Sequence, residues 1–221
     1  CPTSTSPTPW RASGMADDAQ PQRSSPVLQL LASGLQFWIR QQCDAVDSLD
    51  LQLHGSSLGL LRGRLEGVSL VARRVVFSSL EIEMVELRSD AIQVQVGNLL
   101  KGRPLELDHP FQIEGYAAFS GPGLSRSLCT PHWRPLGDQL VDGLLGLTPL
   151  QSLSIERDRL VLKAQGMSCD TIPQARNGGL ELCQTDNGQC VALPADPNIQ
   201  IQEANLEGGL LQLHGTARVS P

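Results

Sequence analysis

Two short segments, Leu60-Leu61-Arg62-Gly63-Arg64 and Leu99-Leu100-Lys101-Gly102-Arg103, repeat one pattern: a leucine pair, then a glycine between two cations. Leucines that enter an acyl boundary while cations meet phosphate oxygens are the physics of peripheral membrane contact. An ordinary tight turn, with leucines capping a core and cations in water, uses the same residues. Both readings stand at this level. The candidate membrane contacts are therefore Leu60, Leu61, Arg62, Arg64, Leu99, Leu100, Lys101 and Arg103.

Other residues have the types needed for covalent or metal chemistry but not the setting. Gly55-Ser56-Ser57-Leu58-Gly59 fits the G-x-S-x-G pattern, yet a nucleophile elbow needs a helix after it and a parallel sheet beneath it. A Gly/Ser turn between strands accounts for it. Cys129 and His132 lie in a Pro-flanked connection with no third group to hold a base, and catalysis through a thiolate needs one. They read as a small buried residue and a surface histidine. The chain has no C-x-x-C, no H-x-E and no Gly-Lys-Ser/Thr, so neither a zinc cluster nor a phosphate loop is expected, and no cofactor. No catalytic residue is assigned, and the chain is not read as an enzyme.

Six cysteines, at positions 1, 43, 129, 169, 183 and 190, are too sparse for a disulfide scaffold in 221 residues. Cys183 and Cys190 flank a hairpin signal, Asp186-Asn187-Gly188. A four-residue loop from Thr185 to Gly188 would oppose the two cysteines, and a two-residue loop at Asn187-Gly188 would not. Reduced cysteines acting as small hydrophobes is the expectation taken. Cys1 fits either a misplaced or truncated reading frame, with Met15 as the start, or an acylated lipoprotein cysteine. The former is taken, with the protein cytoplasmic or peripheral to a membrane.

Composition removes whole classes of function. Net charge is −6, and no basic tract is longer than Arg73-Arg74, which argues against nucleic acid. No stretch reaches the roughly 18 apolar residues of a membrane-crossing helix. Aromatics are 4% of the chain, so the core must be Leu, Val and Ile. Lys101 and Lys163 are the sole lysines among 17 cations, and this arginine bias favours forked contacts with carboxylates or phosphates.

The elements that would position these groups follow from periodicity. Residues 1–25, rich in Thr, Ser and Pro, read as a disordered lead-in, and 26–221 as a single domain. A helix is predicted from Pro26 to about Asp44, capped by Ser25, with Val27, Leu30, Leu31, Gly34, Leu35 and Trp38 in its stripe. Phe37 and Ile39 widen the apolar surface, so this helix is expected to touch protein on more than one side. From Leu49 the period becomes two: Leu49, Leu51 and Leu53, then Leu80, Ile82 and Met84, then Ile92, Val94 and Val96, Leu105 and Leu107, Phe111 and Ile113. A slip between Met84 and Val85 predicts a bulge. Leu124 and Leu128 suit a short helix. Trp133, Leu136, Leu140, Val141, Leu144 and Leu145 form the cleanest helical stripe, ended by Thr148-Pro149. Strands resume from Leu153 to Leu213. Strands in unbroken series cannot be parallel neighbours, which need long crossovers. The fold class is α+β: a strongly curved antiparallel β-sheet wrapped around one or two amphipathic helices.

The run Leu49-Asp50-Leu51-Gln52-Leu53-His54-Gly55, with Leu61-Arg62-Gly63-Arg64-Leu65-Glu66-Gly67-Val68-Ser69-Leu70, Val85-Glu86-Leu87-Arg88-Ser89 and Pro104-Leu105-Glu106-Leu107, resembles a known family. It is that of the LmeA-like phospholipid-binding proteins, long catalogued as a domain of unknown function, and in particular its cyanobacterial branch. The resemblance covers roughly residues 26–165. It implies a fold like the tubular lipid-binding proteins and non-enzymatic phospholipid binding. The actinobacterial members carry an N-terminal export or anchor segment, for which this sequence has no counterpart.

Together these readings lead to a phospholipid or membrane-surface partner, with acyl chains in an apolar groove between sheet and helix. The groove-lining candidates are Leu30, Leu35, Trp38, Phe77, Leu140 and Leu144. The alternative is a protein-interaction scaffold with a closed core and no small ligand.

Overall fold

Seventeen residues of helix, α1 (Pro26–Gln42), open the computed structural model, which describes residues 26–56, 58–59, 62–93 and 109–220. The helix buries Leu28 and half-buries Leu31, Leu35 and Ile39, positions spaced three and four apart on one side. Gly34, Phe37 and Trp38 fall outside that stripe and are exposed. The stripe that meets protein is therefore rotated from the predicted one. The expectation that Phe37 also touches protein is corrected: its side chain is 64% exposed. The predicted cap Ser25, the lead-in, Cys1, and Val94, Val96, Leu105 and Leu107 lie outside the described residues.

The strands form two principal sheets rather than the single one expected. The first contains β1 (Ala45–His54), β3 (Gly67–Phe77), β4 (Leu80–Ser89), β6 (Phe111–Ser120), β12 (Ile199–Glu207) and β13 (Leu210–Val219), in the order β1-β3-β4-β6-β13-β12. All neighbours are antiparallel. A two-stranded ribbon, β2 (Arg64–Leu65) with β5 (Ile92–Gln93), sits at one end. There Leu28, Leu65 and Ile92 cluster with Leu31, Leu53, Val68 and Phe111. Only two residues link α1 to β1, so the helix folds back along that edge strand. Asp44 fixes the other end: its N–H donates to the Val76 carbonyl and its Oδ2 accepts from the Ser79 N–H.

Registers of β4 with β3 and with β6 run unbroken through Met84 and Val85, so the bulge predicted there does not exist. The apolar residues change face at that point instead. An irregularity is present in β12, between Ile201 and Glu203.

The second sheet is β11-β10-β9-β8-β7, built from β7 (Ser152–Glu156), β8 (Arg159–Ala164), β9 (Met167–Arg176), β10 (Gly179–Gln184) and β11 (Cys190–Ala192). Helix α3 (Arg134–Leu145) lies on it. Leu140, Val141 and Leu144 pack with Leu153, Leu160, Leu162, Ala164, Cys169 and Leu182 into one buried cluster. Gly146, in the left-handed region, ends the helix before Thr148-Pro149 is reached.

Helix α2 (Gly121–Cys129) clamps the sheets together. Ser120 caps it by accepting from the Gly123 N–H, so Gly121-Pro122-Gly123 is its first turn. Its buried Ser127 accepts from the Glu81 N–H of β4, Ser125 accepts from the Leu153 N–H of β7, and Arg126 grips the Glu81 carboxylate with Nε and an Nη. Across the other junction the Ile201 N–H donates to the Gly178 carbonyl.

Candidate functional site

Strand pairing decides which side chains share a face, since directly opposed residues project the same way. Across the six-stranded sheet one row reads Leu51, Leu70, Leu87, Gly115, Gly215, Ile201. The next reads Leu49, Ala72, Val85, Ala117, Leu213, Ala204. Neither contains a polar side chain, and α1 lies beside β1 at one margin of this face. Leu51 and Ala72 are buried, while Leu70, Val85, Leu87, Leu213 and Ile201 are only half-buried. Gly115 and Gly215 face each other near the middle, where neighbouring atoms already take the space a side chain would need. At Gly215 a Cβ would collide with the Gln200 carbonyl, and at Gly115 it would press on the Leu87 side chain at 3.1 Å.

The opposite face is polar. Its central row is Asp50, Val71, Glu86, Tyr116, His214, Glu203. The curvature of the sheet makes an open trough of about 840 Å³ here, lined by Glu86, Arg88, Glu114, Tyr116, Glu203 and His214 among others. His214 Nε2 stands 3.2 Å from Glu114 Oε1. Burial, and then the negative charges of Glu86 and Glu207, hold the Tyr116 hydroxyl above the ordinary phenol range. Val71 and Met84 also line this trough, and its exposed carboxylates would lose hydration on contact with hydrocarbon.

The structure disperses the groove-lining candidates. Leu35 is on the inner side of α1, whereas the side chain of Leu30 lies outside the described residues. Trp38 is 59% exposed and Phe77, at the end of β3, is 48% exposed. Leu140 and Leu144 are 3% and 5% exposed, in the closed cluster between α3 and the five-stranded sheet. They share no seam with α1. The expected channel beside the Trp133–Leu145 helix is therefore corrected: that space is filled by side chains. The sequence reading did not bring together the residues of the two apolar rows, above all Val85, Leu87 and Leu213. Their alternation was visible, but their juxtaposition depends on pairing between distant strands.

Arg62 and Arg64 are exposed, beside an exposed Leu58. Leu60, Leu61, Leu99, Leu100, Lys101 and Arg103 lie outside the described residues, so the parallel between the two leucine-cation segments goes no further here. Ser57, the serine of the G-x-S-x-G pattern, is also outside, though both principal sheets are antiparallel, unlike the sheet an elbow requires. His132 packs edge-on against Trp133, with ring centroids 5.0 Å apart.

Cys183 and Cys190 oppose each other on β10 and β11 and form a disulfide. The hairpin has the four-residue loop, and the expectation of reduced thiols is corrected. With Glu181 these cysteines form the one tight grouping of metal-ligand types among the described residues, but sulfurs in a disulfide are not thiolate ligands. Burial raises the thiol pKa of Cys169 and of Cys43.

A family model adds what geometry cannot. The model of LmeA-like phospholipid-binding proteins matches residues 24–219. The chain belongs to the LmeA-like phospholipid-binding family. The match extends well past residue 165 and takes in both sheets, not only the segment whose motifs carry the resemblance. No curated protein and no solved structure matches the chain. No helix among the described residues is long and apolar enough to cross a membrane.

Proposed function

We propose that this LmeA-like protein is a non-enzymatic phospholipid-binding module. Acyl chains lie on the apolar face of the six-stranded sheet beside α1, in the manner of a curved sheet wrapped on a helix, and the protein meets membranes peripherally. The observation that carries this reading is the pair of uncharged rows running across all six strands, half-buried at their centre, in a chain of a phospholipid-binding family. Aliphatic surface binds hydrocarbon without directional demands. Leu87, whose flexible side chain lies over Gly115, is the side chain that would swing aside. Leu35 is retained as a wall from the helix. Arg62 and Arg64 are retained as headgroup contacts at the exposed turn before β3.

The test is to extract purified full-length protein with organic solvent and identify co-purified lipid by mass spectrometry. Phospholipid in stoichiometric amount is expected from the wild type. Leu87→Glu and Leu213→Glu, which place a carboxylate on the face, should release it while the protein stays folded. A folded wild type that yields no lipid, even after incubation with phospholipid vesicles, overturns the reading.

A further inference from the structure

Helix α1 packs one apolar stripe against the sheet and carries two further aromatic residues outside that stripe. Leu28, Leu31, Leu35 and Ile39 face the sheet. Phe37 and Trp38 project outward and are 64% and 59% exposed. A Cβ at Gly34, one turn before Trp38, would meet nothing within 4 Å. Burying two aromatic rings is worth far more than leaving them in water, and a solvent-exposed pair on one helix face marks an interaction surface.

The charges around the pair favour a phospholipid surface over a protein. Arg40 lies in the last turn of α1 and is exposed. It has no carboxylate partner among the described residues, whereas the neighbouring acids are engaged within the chain. Asp44 accepts from the Ser79 N–H, and Asp47 pairs with Arg74 at 2.5 Å. Those bonds from Asp44 also tie the end of α1 to the turn after Phe77, bringing a third exposed aromatic to this end of the sheet. Two exposed aromatics in the last turns of α1, with an arginine that has no carboxylate partner among the described residues, match the chemistry of the bilayer interface. Trp rings settle at headgroup depth and a guanidinium meets phosphate.

We infer that the outer face of α1 docks on phospholipid bilayers, with Phe37 and Trp38 inserted at the interface and Arg40 on lipid phosphate. This rests on the proposed lipid-binding function and deepens it by assigning the docking surface. It also gives the helix two lipid-related sides: the inner one borders the acyl surface, and the outer one holds the protein to the bilayer.

The experiment uses the full chain and phosphatidylcholine vesicles with and without phosphatidylglycerol. Wild-type protein should float with the vesicles, its tryptophan emission shifting to the blue and being quenched by bromine-labelled acyl chains. Phe37→Ser/Trp38→Ser should weaken partitioning at least tenfold, on the order expected for two half-buried rings, with an unchanged thermal melt and unchanged co-purified lipid. Trp38→Phe, which removes only the reporter, should keep flotation but lose most of the quenching. Should the double variant prove unstable, the Trp38→Phe quenching difference still decides whether this ring enters the bilayer. Undiminished flotation of the folded double variant, or equal quenching in Trp38→Phe, overturns the docking surface while leaving lipid binding intact. A wild type without co-purified lipid and without vesicle binding overturns both. Sedimentation that detects a dimer dissolved by Phe37→Ser/Trp38→Ser would assign the face to a second copy instead, and the inference would fall.

Discussion

The chain builds two sheet-and-helix layers from the same kinds of residue, and they differ in how completely they close. Under α3, Leu140, Val141, Leu144, Leu160 and Leu162 are all at or below 5% exposure. Beside α1, the two uncharged rows of the six-stranded sheet stay half-buried over most of their width. The reason is coverage. Helix α3 crosses a five-stranded sheet whose inner face is also met by α2 and by Leu206 of β12, so every side chain finds partners. Helix α1 follows the edge strand β1, and its buried contacts gather at the β2–β5 end. One layer is a stabilising core. The other retains half-buried apolar surface beyond what its own helix covers among the described residues, and it is this surface that the proposed function uses.

The largest expected effect tests that contrast directly. Leu162→Ala should cost about 2–5 kcal/mol, as for other large-to-small changes in closed cores, lowering the melting temperature sharply without a specific effect on lipid content. Leu87→Ala should cost about 1 kcal/mol yet change lipid retention. Equal destabilisation by the two would mean that the α1 layer is as closed as the α3 layer, and the comparison would collapse.

Next comes the disulfide, which sits at the edge of the closed layer. Cys183→Ser/Cys190→Ser should destabilise by about 2 kcal/mol through the short loop it closes. Denaturant unfolding with and without reductant checks this, since reductant should bring the wild type to the variant and leave the variant unchanged. Lipid retention should not move, because neither cysteine touches the six-stranded sheet's apolar rows.

Tyr116 offers a reading of the polar side of the open layer, and it is the sole tyrosine in the chain. Its phenolate absorbance should appear at higher pH than in the unfolded protein, because burial and the charges of Glu86 and Glu207 disfavour the anion. Since its folded pKa is raised, this group takes stability away only once the pH exceeds the unfolded value. Glu86→Gln should shift the titration down, and no shift would mean that Glu86 does not bear on this trough.

The smallest effect concerns the clamp between layers. The hydrogen bond from Arg126 holds the Glu81 carboxyl below its ordinary range. A lowered carboxyl pKa contributes stability present above the unfolded value and lost as pH falls through the folded one. Glu81→Gln should therefore lower the melting temperature slightly at neutral pH, and the gap from wild type should close in acid. As a largely solvated pair it is also screened by salt.

Much of this was legible in the sequence, and each failure has a physical cause. The helix from Pro26, the period-two segments at Leu49–Leu53, Leu80–Met84 and Phe111–Ile113, and the short Leu124–Leu128 helix appear where periodicity puts them. The stripe on α1 is ambiguous because Val27-Leu30-Leu31-Gly34-Leu35-Trp38 and Leu28-Leu31-Leu35-Ile39 are both spaced for a helix face and share Leu31 and Leu35, and only packing chooses between them. The bulge at Met84 was an artefact of reading one strand alone: an apolar residue that switches faces looks the same as an inserted one. Leu140 and Leu144 were rightly seen as inward-facing, but inward toward a filled core. The cysteine pair turned on loop length, a choice that local residues left open and pairing of β10 with β11 resolved.

Local alternation, helix spacing, turn chemistry and the motifs shared with the LmeA-like family were enough to establish antiparallel α+β and a phospholipid-binding family, because these depend on residues close together along the chain. Which apolar faces close and which stay open was decided only in three dimensions. A leucine's wish to leave water is the same everywhere, and whether another layer arrives to cover it depends on strands a hundred residues away.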